Sequence, residues 1–375
     1  MEILPTAQRI IWQRELTTSF LLVGAFSLLL FFAVSPVSAA VNDDSNDSPI
    51  VPKDELPEKI SIEKVPVGFD RLPPSPDENP TTIEKSGLGR RLFFDPILSN
   101  DGSVSCASCH QPEHGFASPD RLAIGIDGQI GTRNAPSILN RAFGQHFSWD
   151  GRDASLEEQA LSPLSSKTEL GGDLKTVIAN IRKDKSYVDA FASIFANDQL
   201  ESPDQYVNTE NIAKALACFE RTLTSGNSEV DRFRGSEYSA LSKSARQGLW
   251  LFESRAGCWK CHSGSNFTDE EFHNTGVQFG KSNRDLGRQI VTEDDAHRFQ
   301  FKTPSLRDVE HTAPYMHDGS SETLRDVVEF YNRGGSPDDP LLDKDMKPLN
   351  LTDEQVGFLV DFLKALSGEG PAAHN

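Results

Sequence analysis

Two short strings hold most of the chemistry available to this chain: Cys106-Ala-Ser-Cys109-His110 and Cys258-Trp-Lys-Cys261-His262. Two thiols three residues apart, followed at once by an imidazole, form the attachment pattern of a c-type haem. The spacing lets both thiols bond the vinyl groups of one porphyrin, and the adjacent His then supplies the proximal iron ligand. Other readings fit less well. A thioredoxin-like pair follows a strand in a βαβ setting, which is absent here. A single zinc site built from both pairs leaves the two histidines unexplained. Of five cysteines only Cys218 falls outside the motifs, which excludes a disulfide framework. Cys218 lies among Ala213, Ala215 and Ala217 and reads as a small buried hydrophobe. Two covalent c-type haems are therefore expected.

An electron-transfer haem needs a sixth ligand, whereas a catalytic haem needs an open face. The chain offers nine His and three Met. Met1 belongs to the leader, and Met346 sits in the polar stretch Asp343-Lys-Asp-Met-Lys-Pro. Met316 lies in the loop string Ala313-Pro-Tyr-Met-His317-Asp-Gly. Leu324, Val327, Val328 and Tyr331 recur at helical spacing, so Tyr331 continues an apolar face before Arg333-Gly334-Gly335 stops the helix. A phenolate can ligate haem iron, as in catalase, although a Tyr on such a face is ordinarily a core aromatic.

The elements that must hold these groups read as helices. The chain has 375 residues, room for about two domains. Its net charge of −19 argues against a phosphate-backbone binder and is compatible with a basic partner. Residues 1–40 carry Arg9 and Arg14, an apolar run from Ser19 to Val34, then Pro36-Val-Ser-Ala-Ala40, the pattern of a cleaved export signal. The rival is an uncleaved N-terminal anchor. Residues 41–80 hold eight of the 22 prolines and read as an extended strap or tether. Helical signals run from Ile83 onward. Ile212, Ala215, Leu216 and Phe219 keep helical spacing, as do Val356, Leu359, Val360 and Leu363 behind a Thr352/Gln355 capping box.

A loose repeat relates the two halves. Gly89-Arg-Arg-Leu-Phe93 precedes the first motif and Gly248-Leu-Trp-Leu-Phe252 the second. Phe116-Ala-Ser-Pro-Asp120 and Phe267-Thr-Asp269 follow them. The expected fold is mainly α, with two cytochrome c-like domains at 81–228 and 229–370, long loops, and a boundary in Ser225–Ser236.

With the haem motifs in this order, residues ~80–366 resemble the bacterial di-haem cytochrome c peroxidase and MauG family. The resemblance rests on Leu88-Gly-Arg-Arg-Leu-Phe-Phe-Asp-Pro, Arg133-Asn-Ala-Pro-Ser-Ile-Leu-Asn, Phe147-Ser-Trp-Asp-Gly-Arg152, Ser155-Leu-Glu-Glu-Gln159-Ala and Pro314-Tyr-Met-His-Asp-Gly319, in that order. It implies that His110 holds the peroxidatic haem and His262 the electron-transfer haem. Trp149 matches the electron relay between the haems. Gln159 and Glu169 match the distal residues that position and protonate peroxide, and Pro163 the distal proline. Asn134, with the carbonyls of Thr312 and Pro314, matches an inter-haem calcium site, and such oxygen donors suit that ion.

Two departures sharpen the resemblance. Peroxidase-branch members carry an Ile-Gly-His-Gly string whose His blocks the resting peroxidatic iron; here the string is Ile124-Gly-Ile126-Asp-Gly128. Ile126 cannot ligate, so the first haem is expected to be open. His114, four residues past His110, is the other candidate, but it has to reach the opposite haem face. The branch's axial Met stands fourteen residues after the His of His-Asp-Gly, a position taken here by Tyr331. MauG-type members have Tyr there, which favours Tyr331 over Met316. An anionic phenolate favours oxidised iron and a low potential.

Three functions follow from the resemblance. The first is a periplasmic di-haem peroxidase that reduces hydrogen peroxide with electrons from a small redox protein, a cytochrome c or cupredoxin. The second is a MauG-like oxidase acting on a partner protein's side chains. The third is a non-catalytic di-haem electron carrier, against which Gln159, Glu169 and an open iron argue.

Overall fold

The structure, a computed structural model, describes residues 65–196 and 202–371. The export signal and the first part of the strap lie outside the described residues. Eleven α-helices are seen among those described. The first six are α1 (Ile83–Phe94), α2 (Cys106–Cys109), α3 (Leu156–Ser165), α4 (Leu174–Lys183), α5 (Lys185–Phe195) and α6 (Thr209–Glu220). They are followed by α7 (Glu229–Arg234), α8 (Lys243–Glu253), α9 (Gln289–Thr292), α10 (Leu324–Asn332) and α11 (Asp353–Lys364). The only sheet described is one antiparallel pair, β1 (Phe272–His273) with β2 (Phe301–Lys302). The mainly helical expectation is met.

Local sequence accounts for the helix ends. Thr352 accepts from the Gln355 amide while the Gln355 side chain accepts from the Thr352 amide, the capping box expected there. Helix α10 ends where Gly334 and Gly335 both take positive φ, and the Gly335 amide reaches back to the Phe330 carbonyl at 2.9 Å. The stretch 225–236 is not a bare linker. Half of it is α7, with Val230 and Asp231 buried.

Two apolar cores form along the chain. The first gathers side chains from Leu88 to Leu223 around Phe93, Leu164 and Phe191; the second runs from Val230 to Leu366 around Phe252, Phe267 and Phe362. Each core is built on a helix pair, α1 on α6 and α8 on α11. The repeated glycines are the crossing points. A Cβ on Gly89 would collide with the Ala215 carbonyl, and one on Gly248 with the Phe358 carbonyl. Absence of a side chain thus lets the two backbones touch.

The described part of the strap has no regular structure, yet it is held. Phe69 stacks on Phe143 with centroids 4.3 Å apart, and the Arg307 guanidinium lies 4.4 Å over the same ring. The Asn227 amide donates to the Val67 carbonyl at 2.9 Å.

Candidate haem sites

Both motif histidines are prepared in the same way. The His110 amide closes a turn onto the Cys106 carbonyl at 2.9 Å, and the His262 amide does the same onto Cys258 at 2.9 Å. His110 Nδ1 then donates to the Phe116 carbonyl at 3.1 Å, and His262 Nδ1 to the Phe267 carbonyl at 3.0 Å. A carbonyl only accepts, so the proton sits on Nδ1 and Nε2 keeps its lone pair for a metal. Burial lowers the basicity of both rings and so keeps them neutral. The two phenylalanines adopt left-handed backbone, φ 54° at Phe116 and φ 50° at Phe267, which turns each carbonyl toward its histidine. The repeated Phe was visible in sequence; its role as a carbonyl presenter was not.

The thiols are equally alike. Burial pushes Cys106 up to about 12, with the Glu220 charge adding to it, and Cys258 up to about 12. With no metal or cofactor bound, burial favours protonated thiols over reactive thiolates.

Beside the second motif lies a cavity of about 310 Å³, lined by Cys258, Cys261, His262, Trp149, Met316 and Tyr331 among others. Both expected sixth-ligand candidates therefore face one space. Met346 faces it as well, although its polar sequence setting argued against it. Tyr331 projects from the last turn of α10, and burial raises its phenol above the ordinary range. Such a phenol gives up its proton only to a strong positive centre, and ferric iron is one.

At the first motif the Ile124–Gly128 loop is pinned to the segment carrying Glu169. The Ile126 amide donates to the Glu169 carbonyl at 2.9 Å, and Gly125 crosses so closely that a Cβ would strike the Thr168 carbonyl. Ile126 is buried, so hydrocarbon stands where the peroxidase branch carries its blocking His. The Glu169 carboxyl is raised by burial against the opposing pull of Arg152, and its charge is felt at Cys109. Glu169 as a residue is exposed, so this raised carboxyl opens to solvent at one edge. Gln159 and Pro163 stand one turn apart on α3 and so share a face. His114 sits in the tight turn between His110 and Phe116, on the side of the His110 hydrogen bond.

Known proteins resemble this chain over most of its length. The family model "Di-haem cytochrome c peroxidase" matches residues 83–239. "Methylamine utilization protein MauG" of Methylorubrum extorquens is 40% identical over 302 residues, covering 80% of this chain and 82% of that protein.

The chain belongs to the di-haem cytochrome c peroxidase family.

A second relative, "Cytochrome-c peroxidase IdrP1" of a Pseudomonas species, is 33% identical and covers 80% of this chain and 86% of its own. A crystal structure described as a MauG-like protein associated with microbial copper homeostasis superposes with TM-score 0.75 at 30% identity, covering 82% of this chain and 95% of that one. As a family member the protein is an oxidoreductase of the di-haem peroxidase type, and the family's cofactor is haem of the c type.

Trp149 is fixed from several sides. Its Nε1 donates to the Asn134 carbonyl at 2.9 Å, and its carbonyl accepts from the Lys302 amide at 2.9 Å. Arg133 bridges Asp150 at 2.7 Å and Asp285 at 2.6 Å, while Arg288 Nη1 donates to the Gly151 carbonyl at 2.7 Å. The same loop runs into α3, because Asp153 accepts from Ser148 and Ser162, each at 2.6 Å. Asn134 is buried and its Nδ2 is spent on the Asp120 carbonyl at 2.9 Å, so Oδ1 is the free end. Asn134, Thr312 and Pro314 line the same cavity. An amide oxygen and two carbonyls are a donor set that fits a hard cation.

Sequence reading missed His273. It is clamped by Asp343 at 2.7 Å and Asp269 at 3.1 Å, and those bonds, Asp269 foremost and then Cys261, push it up to about 11. Cys261, Asp269 and His273 come close enough to resemble a metal cluster, but the thiol belongs to a haem attachment motif. Asp343 lies 70 residues from His273, so no local signal marks the pair.

Proposed function

We propose that this protein is an exported, periplasmic two-haem peroxidase of the MauG-like branch, reducing hydrogen peroxide to water with electrons from a small redox protein. One covalent haem belongs to each apolar core, in domains 81–228 and 229–370, and a calcium ion sits at Asn134, Thr312 and Pro314. The observation that carries the reading is the Ile126–Glu169 hydrogen bond. It sets a residue that cannot ligate beside a carboxyl of raised pKa, next to the first motif. That combination serves an open reaction site and has no use in a plain electron carrier.

Bound at these motifs, haem iron supplies the one-electron chemistry. The chain supplies the rest. Cys106 and Cys109, and Cys258 and Cys261, would hold each ring, and His110 and His262 would ligate through Nε2. Tyr331 would be a ligand to the second iron in preference to Met316. Gln159 and Pro163 shape the peroxide pocket. Glu169 takes the proton from one peroxide oxygen and delivers it to the other, so that water leaves; such positioned transfer is worth about 10²–10⁴-fold. Two electrons and two protons turn one peroxide into two waters. Trp149 provides the route for the electrons.

A second reading, oxidation of a partner protein's side chains, is favoured by Tyr331 and by the MauG relative. The deciding experiment pairs two measurements. Electron paramagnetic resonance of the resting ferric protein should count one high-spin and one low-spin haem. Reduced cytochrome c should then be oxidised steadily with peroxide. Two low-spin six-coordinate haems would revive the carrier reading, and peroxide consumption only with a specific protein substrate would select the oxidase.

A further inference from the structure

Beside the relay lies a buried charge that peroxide reduction does not use. Strand β2 sets Lys302 against the Trp149 loop through the 2.9 Å amide bond to the Trp149 carbonyl. The Lys302 side chain is 8% exposed, and its Nζ lies 3.2 Å from the Thr303 carbonyl and 3.7 Å from Glu270 Oε1. That carboxylate is already committed. Arg141 holds both its oxygens, at 2.8 and 3.1 Å, and the amides of Gln145 and His146 approach it at 3.1 and 3.4 Å. Two buried cations share one carboxylate.

The carboxylates beyond Glu270 are likewise shared with cations. On the β1 side, Asp269 is engaged by His273, itself a cation held by Asp343. On the relay side, Asp150 and Asp285 are taken up by Arg133, which lies over the Phe301 ring at 5.6 Å. Arg141 and Lys302 both line the cavity that holds His262, Trp149 and Tyr331. In a low-dielectric interior a buried charge acts strongly on its neighbours, even where it shares a carboxylate.

We propose that Lys302 sets the redox potential of the second haem site, its buried ammonium opposing the negative charge of a Tyr331 phenolate. The inference rests on the haem reading above. A positive charge stabilises the electron-rich form, so Lys302 raises a potential that the phenolate lowers. Burial foremost, and then Arg141, pull Lys302 down to about 7, so its charge is poised near neutrality. Removing one electron from the second site makes that site one unit more positive. The electron passes to the first site, where peroxide is the acceptor, and Lys302 Nζ responds by releasing a proton to solvent. The potential of the second site therefore falls as pH rises through neutrality.

The test is a spectroelectrochemical titration of the holoprotein on both sides of neutral pH, with haem counted by pyridine haemochrome and mass. In Lys302→Met the second-site potential should drop and lose its pH dependence across that range. In Lys302→Arg it should stay high and be equally flat with pH. Glu270→Gln removes the anion that holds the Lys302 proton, so it should move the pH dependence of the potential to lower pH. A Lys302→Met potential and slope matching the parent overturn the proposal. If that variant fails to take up haem, a pH-independent parent, or a Glu270→Gln pH profile that does not move, overturns it instead. A parent carrying only one haem sinks both this inference and the reading beneath it, whereas two haems with no Lys302 effect sink this inference alone.

Discussion

Trp149 Nε1 donates to the backbone carbonyl of Asn134 at 2.9 Å, joining the indole to a buried residue that lines the same cavity. The Asn134 amide in turn donates to the His317 carbonyl at 2.8 Å, and the Trp149 and His317 rings meet edge to face at 6.3 Å. Indole, amide and the Thr312–Asp318 loop therefore move together or not at all.

Elemental analysis should find one calcium per chain, and its removal by chelation should loosen this unit. The low-spin resonance should change and turnover should fall at least about tenfold, about 1.4 kcal/mol in barrier. Asn134→Ala should reproduce both effects. Spectra that stay constant after complete calcium loss would show that the loop holds itself.

Tyr331→Phe should convert the low-spin haem to high spin, because the other phenol lining that cavity, Tyr315, is spent on the Val309 carbonyl at 3.0 Å. Tyr331→Met should keep it low spin and raise its potential, since a thioether does not carry the phenolate's charge. If neither substitution alters the spectrum, Met316 or Met346 is the ligand.

Glu169→Gln should slow peroxide reduction by about 10²–10⁴-fold with both haems retained. Glu169 works as a carboxylate, and burial raises its pKa. Activity should therefore fall with acid at a pH above the ordinary carboxylate range. The glutamine variant should lack that acid limb, and a limb that survives in it belongs to another group.

Gly89→Ala and Gly248→Ala should each destabilise the protein by about 1–3 kcal/mol or more, since the added Cβ meets backbone rather than a movable side chain. Gly87→Ala is the control on the same helix. Its Cβ would meet nothing within 4 Å, so it should stabilise by about 0.5–1 kcal/mol. Thermal melts of the three variants check the ordering.

Glu220→Gln should raise stability at neutral and alkaline pH and matter little in acid. Burial pushes the Glu220 carboxyl up to about 8 against the pull of Arg221, and its Oε2 has no hydrogen-bond partner. Between an unfolded pKa near 4.5 and that value, only the unfolded chain is ionised, so stability declines as pH rises. The gain should be on the order of 1–3 kcal/mol, at about 1.4 kcal/mol per pK unit. Melting curves across that interval that run parallel for the two proteins would contradict it.

Much of the site was legible because its logic is local. Cysteine spacing, the Thr352 cap and the Gly334-Gly335 stop act within a few residues, and α10 carries Tyr331 where helical periodicity placed it. The paired Gly89 and Gly248 and the paired Phe116 and Phe267 were visible as a repeat. Their purposes, a backbone crossing and a carbonyl presented to a histidine, needed the neighbouring chain. His273 and Lys302 gave no signal, because nothing about a lone His or Lys on a short strand reveals its partners.

The sequence by itself determined the two cysteine–histidine motifs, the helix that carries Tyr331, and that Ile126 offers no ligand atom. Only the tertiary structure decided what surrounds Trp149. Arg141 and Glu270 are 129 residues apart, and the charge on Lys302 depends on how completely they satisfy each other. Periodicity and spacing encode contacts along a few turns of chain, whereas the balance of buried charge is set by which distant segments the fold brings together.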